Sequence, residues 1–170
     1  LLLPGDDPRR RTVSVLNPIV QDQGMMRTSA VPEMARTVER NRRRGFTGPI
    51  RLFQIARTYL ARGSEALADE RESLVVAWSG PARPLHPEES SRDVDVYDAL
   101  GDLEGVLGGL GVDLTRGVQA GEPYLREGSA VTLAAHEDFA GRLGELAPAV
   151  RRALDVDDPV YSSRMLLRGP

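Results

Sequence analysis

A chain of 170 residues can bury one substantial core but is too short for a string of domains. Its 41% hydrophobic and 28% charged residues contain no run near the roughly 18 apolar residues that cross a bilayer, which excludes a helical membrane role. A net charge of −3 and a pI near 5.5 exclude a surface built throughout for phosphate, and the lack of cysteine excludes disulfides, thiolate zinc sites and cysteine nucleophiles and suits a reducing cytosol.

The opening "LLLPGDDPRRR" has no initiator Met, basic n-region or long apolar region, so it reads as a cut end rather than a signal peptide. In "RTVSVLNP", Val13 and Val15 sit two apart before an Asn-Pro turn and predict a short strand. Thr28 to Arg44 is predicted as a helix: Thr28 and Ser29 can cap it, Pro32 suits its first turn, and Gly45 follows a run of arginines at its negative end. Val31, Met34, Ala35 and Val38 form a narrow apolar stripe, with Arg36, Arg40 and Arg43 largely off it.

"GPIRLFQIARTYL" carries bulky residues on both faces, Phe53, Ile55 and Tyr59 on one and Leu52, Gln54 and Ala56 on the other, and predicts a central strand. A second such run spans Leu74 to Trp78, and Pro81 to Arg92 has the composition of an exposed loop. "VYDALGDLEGVLGGLGVDL" predicts a helix with Leu103, Val106, Leu107 and Leu110 on one face, held by packing because its glycines oppose helicity by about 1 kcal/mol each. "SAVTLAAHEDFAGRLGEL" predicts a hairpin turning at His136, Glu137 and Asp138. A helix restarts with Pro148 in its first turn, and "PVYSSRMLL" alternates as a last strand. Helices interleaved with strands that include a hairpin predict a single α+β domain over 1–170, with a mainly antiparallel sheet flanked by helices.

Few residues suggest chemistry. His86 and His136 lack spaced partners for a metal, and "GGLG" at 108–111 reads as a helix end rather than a phosphate cradle. "DVDD" at 155–158 reads as a turn, since no Gly and distal Glu follow at calcium-loop spacing. No metal or catalytic residue is assigned. Arg36, Arg40, Arg42, Arg43 and Arg44 could meet phosphates, making the helix over 32–44 a tRNA-binding module in the alternative reading; a charge run is more often a solvated face. The Met25, Met26, Val31, Met34, Val38 seam suits either the chain's own core or a partner helix, and the residues alone favour the core.

"NPIVQDQGMMRTSAVPEMARTVERNRRRG" followed by "RLFQIARTYL" resembles a run in the β subunit of bacterial phenylalanine–tRNA ligase: Asn-Pro, Met-Arg-Thr-Ser, a Pro-containing helix, Asn-x-x-Arg-Gly, Leu-Phe-Glu-Ile-Gly-Arg. "LVVAWSGPARP", "DVYDALGDLEGVLGGLG", "GSAVTL" and "GRLGELAPAVRRALDVDDPVY" resemble later blocks in the same order, so the likeness spans nearly the whole chain. Departures are Gln54 for the usual Glu, Leu100 for a Lys, Arg126 and Glu127 near a usual His-Pro, and Ala147 for a His.

The resemblance implies a class II aminoacyl-tRNA synthetase core, incomplete at its N-terminus and without catalytic apparatus. It also implies a cytoplasmic role supporting the catalytic α subunit in a hetero-oligomer. Its interface residues would be Met26, Arg27, Thr28, Val31, Pro32, Met34 and Val38, with Gln54, Ala56 and Thr58 on the former cleft face. ATP and magnesium would belong to the holoenzyme, with no cofactor in this chain; tRNA would be met through the holoenzyme, with no membrane or DNA partner. Arg57 falls on the face opposite the cleft if its strand is regular.

Overall fold

The computed structural model describes residues 1–18, 24–62, 67–83, 92–117, 121–135 and 139–167. Among these, three α-helices are Val31–Arg43 (α1), Val96–Gly109 (α2) and Pro148–Ala153 (α3). Six strands, Ile50–Leu60 (β1), Asp69–Ser79 (β2), Thr115–Gly117 (β3), Val131–Ala135 (β4), Phe139–Glu145 (β5) and Tyr161–Leu167 (β6), form one sheet in the order β1-β2-β6-β5-β4-β3. Every neighbouring pair is antiparallel, as the α+β reading expects.

Side chains alternate across a strand, so each strand of the sheet feeds two cores. Val75 and Ala77 of β2 join Ile50 and Ala56 of β1 beneath Val31, Met34, Ala35 and Val38 of α1, with Val150 and Leu154 from the α3 region completing that cluster. On the other face Trp78 joins Leu133, Leu143 and Met165 beneath Leu100, Leu103 and Leu107 of α2. Helices thus lie on both faces, with α1 and α3 on one and α2 on the other. Among the described residues no helix is long and apolar enough to cross a membrane.

Several local expectations change. Val13 and Val15 flank an isolated bridge between Ser14 and Met25, closed by Met26 N–H to the Val13 carbonyl at 2.8 Å, because only one residue on each side finds a partner. β1 is an edge strand, not a central one, and its Phe53 and Ile55 stand largely uncovered. β2 runs well beyond Leu74 to Trp78 because Asp69 to Ser73 continue the ladder against β1. The β4–β5 hairpin is present, although its turn, with His136, lies outside the described residues, as do His86 and most of the 81–92 loop. Helix α2 ends at "GGLG" as expected, with Gly111 at φ +76°. Its start is held by a reciprocal Asp95–Asp98 capping box and by Arg92 donating to Asp98 at 2.6 and 2.8 Å.

Candidate functional site

Helix α1 begins at Val31, not Thr28, with Ala30 at the N-cap and Ser29 Oγ accepting from Val31 N–H at 3.3 Å. Pro32 falls in the first turn, where no N–H is needed. Its C-terminus is closed as the sequence predicted: Gly45 at φ +86° donates to the Arg42 carbonyl at 2.8 Å, and Phe46 N–H to the Asn41 carbonyl at 3.2 Å.

The stripe on this helix faces inward. Val38 is 0% exposed, Val31 1% and Met34 5%, all in one cluster with the chain's own sheet. This corrects the assignment of Val31, Met34 and Val38 to a subunit interface: residues covered by β1, β2 and α3 offer no surface to a partner. Met26, Thr28 and Pro32 are half-buried and Arg27 is exposed. Arg27 is tied to the chain itself, donating from Nε to the Arg57 carbonyl at 3.0 Å and pairing with Glu33 at 2.6 Å, while Tyr59 N–H returns to the Arg27 carbonyl at 2.9 Å.

The arginines divide into two sets. Arg42 braces the helix end, donating from Nη1 to the Phe46 and Gly48 carbonyls at 2.7 and 2.8 Å and pairing through Nε with Asp158 at 2.9 Å. Gly80, at φ +79°, lets Arg42 pass, since a Cβ there would lie 1.9 Å from its Nη2. Arg43 bridges buried Glu39 at 2.8 Å and Asp155 at 2.7 Å, and the Glu39 carboxylate also accepts from Asp157 N–H at 3.2 Å. Thus "DVDD" is a turn clasped by α1. Arg36, Arg40 and Arg44, spaced i, i+4, i+8, are exposed and make no ion pair among the described residues.

The former cleft residues share the α1 face, but they do not line an open cleft. Ala56 and Thr58 are buried beneath α1 and the residues leading into it, and Gln54 is half-buried. Thr58 Oγ1 donates to the Arg71 carbonyl at 3.3 Å, and Ser73 Oγ to the Ala56 carbonyl at 3.3 Å. Arg57 does fall on the opposite face, paired with Glu72 at 3.2 Å. The β1 residues do not fit a magnesium–nucleotide: they are neutral and largely covered. Nor, among the described residues, does any group of three or more His, Asp or Glu side chains have metal-holding geometry.

Three features escaped sequence reasoning. Asp7, Arg9 and Glu122 form a clamp in which the Arg9 guanidinium, paired with both carboxylates, lies 5.7 Å from the centre of the Tyr124 ring. Hydrogen bonding from Arg9 holds Asp7 down at about 2, and burial pushes the Tyr124 hydroxyl up to about 12. No spacing rule links residues 9 and 122. Second, Arg142 and Arg164 are directly opposed on β5 and β6, a pairing visible only once the register is known.

The third is an apolar groove of about 570 Å³ on the α2 face. Phe53 and Ile55 of β1, 74% and 61% exposed, form one wall, Leu74 and Val76 the floor, and Val106 of α2 and Leu110 just past its end, 64% and 74% exposed, the other wall. One end is pinned by Asp102, which accepts from Trp78 Nε1 at 2.9 Å and Arg51 Nε at 3.0 Å. The signal available in the sequence was the pair of large apolar residues at two-residue spacing on β1.

Comparison with known proteins places this architecture. Residues 1–166 match the family model described as the phenylalanyl tRNA synthetase beta chain CLM domain. The chain belongs to that family. It is 34% identical over 162 residues to the phenylalanine–tRNA ligase beta subunit of Syntrophotalea carbinolica, covering 95% of this chain and 20% of that protein. It is 36% identical over 159 residues to the beta subunit of Novosphingobium aromaticivorans, covering 91% and 20%. The chain therefore spans about a fifth of the length of these curated relatives. Among solved structures, a pyrrolysyl-tRNA synthetase from Desulfitobacterium hafniense superposes with a TM-score of 0.59 at 20% identity, covering 97% of this chain and 54% of that one. A second structure, titled PylSc from the same organism, gives 0.57 at 19%, covering 95% and 52%. At that identity the likeness concerns fold, and it agrees with the expected synthetase-core architecture.

Proposed function

We propose that this chain acts as a single, catalytically silent synthetase-like domain that supports the α subunit of a cytoplasmic phenylalanine–tRNA ligase, in which ATP and magnesium are handled elsewhere. The carrying observation is the contrast between the two sheet faces, read together with family membership. Ala56 and Thr58 are covered by the chain's own α1, leaving no cleft over β1 for substrate, while Phe53, Ile55, Val106 and Leu110 leave an apolar groove open on the other side. A contiguous apolar surface of this kind is the usual mark of a polypeptide contact. The α-subunit contact is therefore assigned to the groove, with Met26, Arg27, Thr28 and Pro32 forming a second, more polar contact.

The test is association of the β subunit with the α subunit by analytical ultracentrifugation. Phe53→Asp is expected to raise the dissociation constant at least tenfold while the variant melts normally; unchanged association would remove the groove from the interface. ATP–pyrophosphate exchange by the chain alone would overturn the catalytically silent reading.

A second reading has its own observation: Arg36, Arg40 and Arg44 form an exposed stripe without ion-pair partners among the described residues. If the stripe meets tRNA within the holoenzyme, neutralising all three should weaken tRNA binding and flatten its salt dependence, because fewer counterions are released. Unaltered salt dependence would dismiss it.

A further inference from the structure

On the sheet face beneath α1, the register aligns Gln54, Val75, Arg164, Arg142 and Thr132 in a single row across five strands. Directly opposed residues on neighbouring strands stand about 5 Å apart, and like charges so placed repel. Arg164 and Arg142 are such a pair, and among the described residues neither forms an ion pair. The nearby carboxylates, Asp7 and Glu122, are already engaged by Arg9. Arg142 has one bond, from Nη1 to its neighbour's carbonyl at Gly141, 3.2 Å away. The Nε atoms of both arginines and Oγ1 of Thr132 are buried without a hydrogen-bond partner. All three residues are half-buried rather than sealed.

A like-charged pair with orphaned donors costs stability, whereas donors left unpaired in a native protein ordinarily meet something. Burial, with repulsion from Arg9 and Arg71, already holds Arg164 below the ordinary arginine range, while Tyr124 and Glu122 oppose the shift. An oxyanion resolves the conflict. Two guanidinium forks and a hydroxyl match the several oxygens of a phosphate, and a dianion cancels both charges where a carboxylate would leave one.

We infer that Arg142, Arg164 and Thr132 form a binding site for a dianionic phosphate group, either free phosphate or the terminal phosphate of an organic monoester. The site is independent of the groove assigned to the α subunit. It requires no catalytic step.

The experiment titrates inorganic phosphate into the protein at constant ionic strength, maintained with chloride, and follows the arginine Nε–H resonances and the melting temperature. The expected result is a saturable shift of the Arg142 and Arg164 resonances and a rise in Tm, both absent in an Arg142→Met, Arg164→Met double variant. Binding of inorganic phosphate should weaken as pH falls below neutrality, and binding of a monoester as pH falls below about 6, as each loses its second charge. In phosphate-free buffer Arg164→Met should melt no lower than the parent, because it removes a repulsive opposed charge; this readout stands even if the double variant folds poorly. Adenosine monophosphate in a parallel titration separates the sources, tighter binding assigning the site to an organic monoester and equal or weaker binding to free phosphate. Linear, unsaturable phosphate shifts, or an Arg164→Met variant that melts well below the parent, would overturn the inference and make the pair a structural strut.

Discussion

The two long helices each carry an apolar stripe, yet only one is fully covered. On α1, Val31, Met34, Ala35 and Val38 are sealed against β1, β2 and the α3 region, whereas on α2 Leu103 and Leu107 are buried while Val106 and Leu110 of the same expected stripe stand in solvent. The difference is one of placement over the sheet. Helix α1 lies over β1 and β2 with the α3 region beside it; α2 contacts chiefly β5 and reaches the edge strand β1 through the Asp102–Arg51 ion pair, so the apolar side chains on that flank stay uncovered. A stripe shows that something can cover a helix, and its width relative to the sheet beneath shows how much of the covering the chain supplies itself.

The comparison breaks most visibly under a buried charge. Val38→Asp should destabilise the fold by about 4 kcal/mol in urea melts, since an unpaired carboxylate would sit in a sealed apolar cluster; a loss within experimental error would mean the α1 stripe is not core. Asp102→Ala should cost about 2 kcal/mol by removing a charged acceptor from Trp78 and Arg51 at the end of the groove. Gly45→Ala should cost about 1 kcal/mol, because the residue closing α1 has a positive φ. Val106→Asp, the α2 counterpart of Val38→Asp, should change stability by no more than about 0.5 kcal/mol, since its side chain is already in water. An equal penalty at positions 38 and 106 would erase the distinction between the helices.

The smallest effect concerns acid. Hydrogen bonding from Arg92 holds Asp98 at about 2, below its ordinary 3.8. A carboxyl depressed on folding contributes stability that is full above its unfolded pKa and is lost as pH falls from about 3.8 toward 2. Asp98→Asn should therefore flatten the acid limb of the stability profile in that window and leave neutral-pH behaviour of the α1 side untouched.

Much of the fold was legible because local rules governed it. Gly45, Pro32 and Pro148 mark helix ends through backbone geometry that acts within a few residues, and the 135–139 hairpin follows from two apolar runs around a polar turn. The Thr28 start was missed by three residues because the N-cap is Ala30, whose side chain makes no capping bond and so leaves no local mark of the helix start. Strand order was not legible: Phe53 and Ile55 look like residues with neighbours on both sides, and only the topology puts β1 at the edge. The site fared worse for the same reason. The stripe on α1 was assigned to a partner by resemblance, although its own residues favoured the core. A neutral cleft was inferred from β1 alone, whereas the arginines sharing that face arrive from β5 and β6 through pairing that no local pattern encodes.

The position of β6 has a consequence for biosynthesis. Among the described residues it is the last strand in sequence, yet it lies between β2 and β5, and no other described strand joins the β1–β2 hairpin to the β3–β4–β5 meander. As the chain leaves the ribosome, the two halves of the sheet each wait with an open edge until residues 161–167 arrive to zip them together. Stalled synthesis before Tyr161 would leave two adhesive half-sheets rather than a smaller version of the domain.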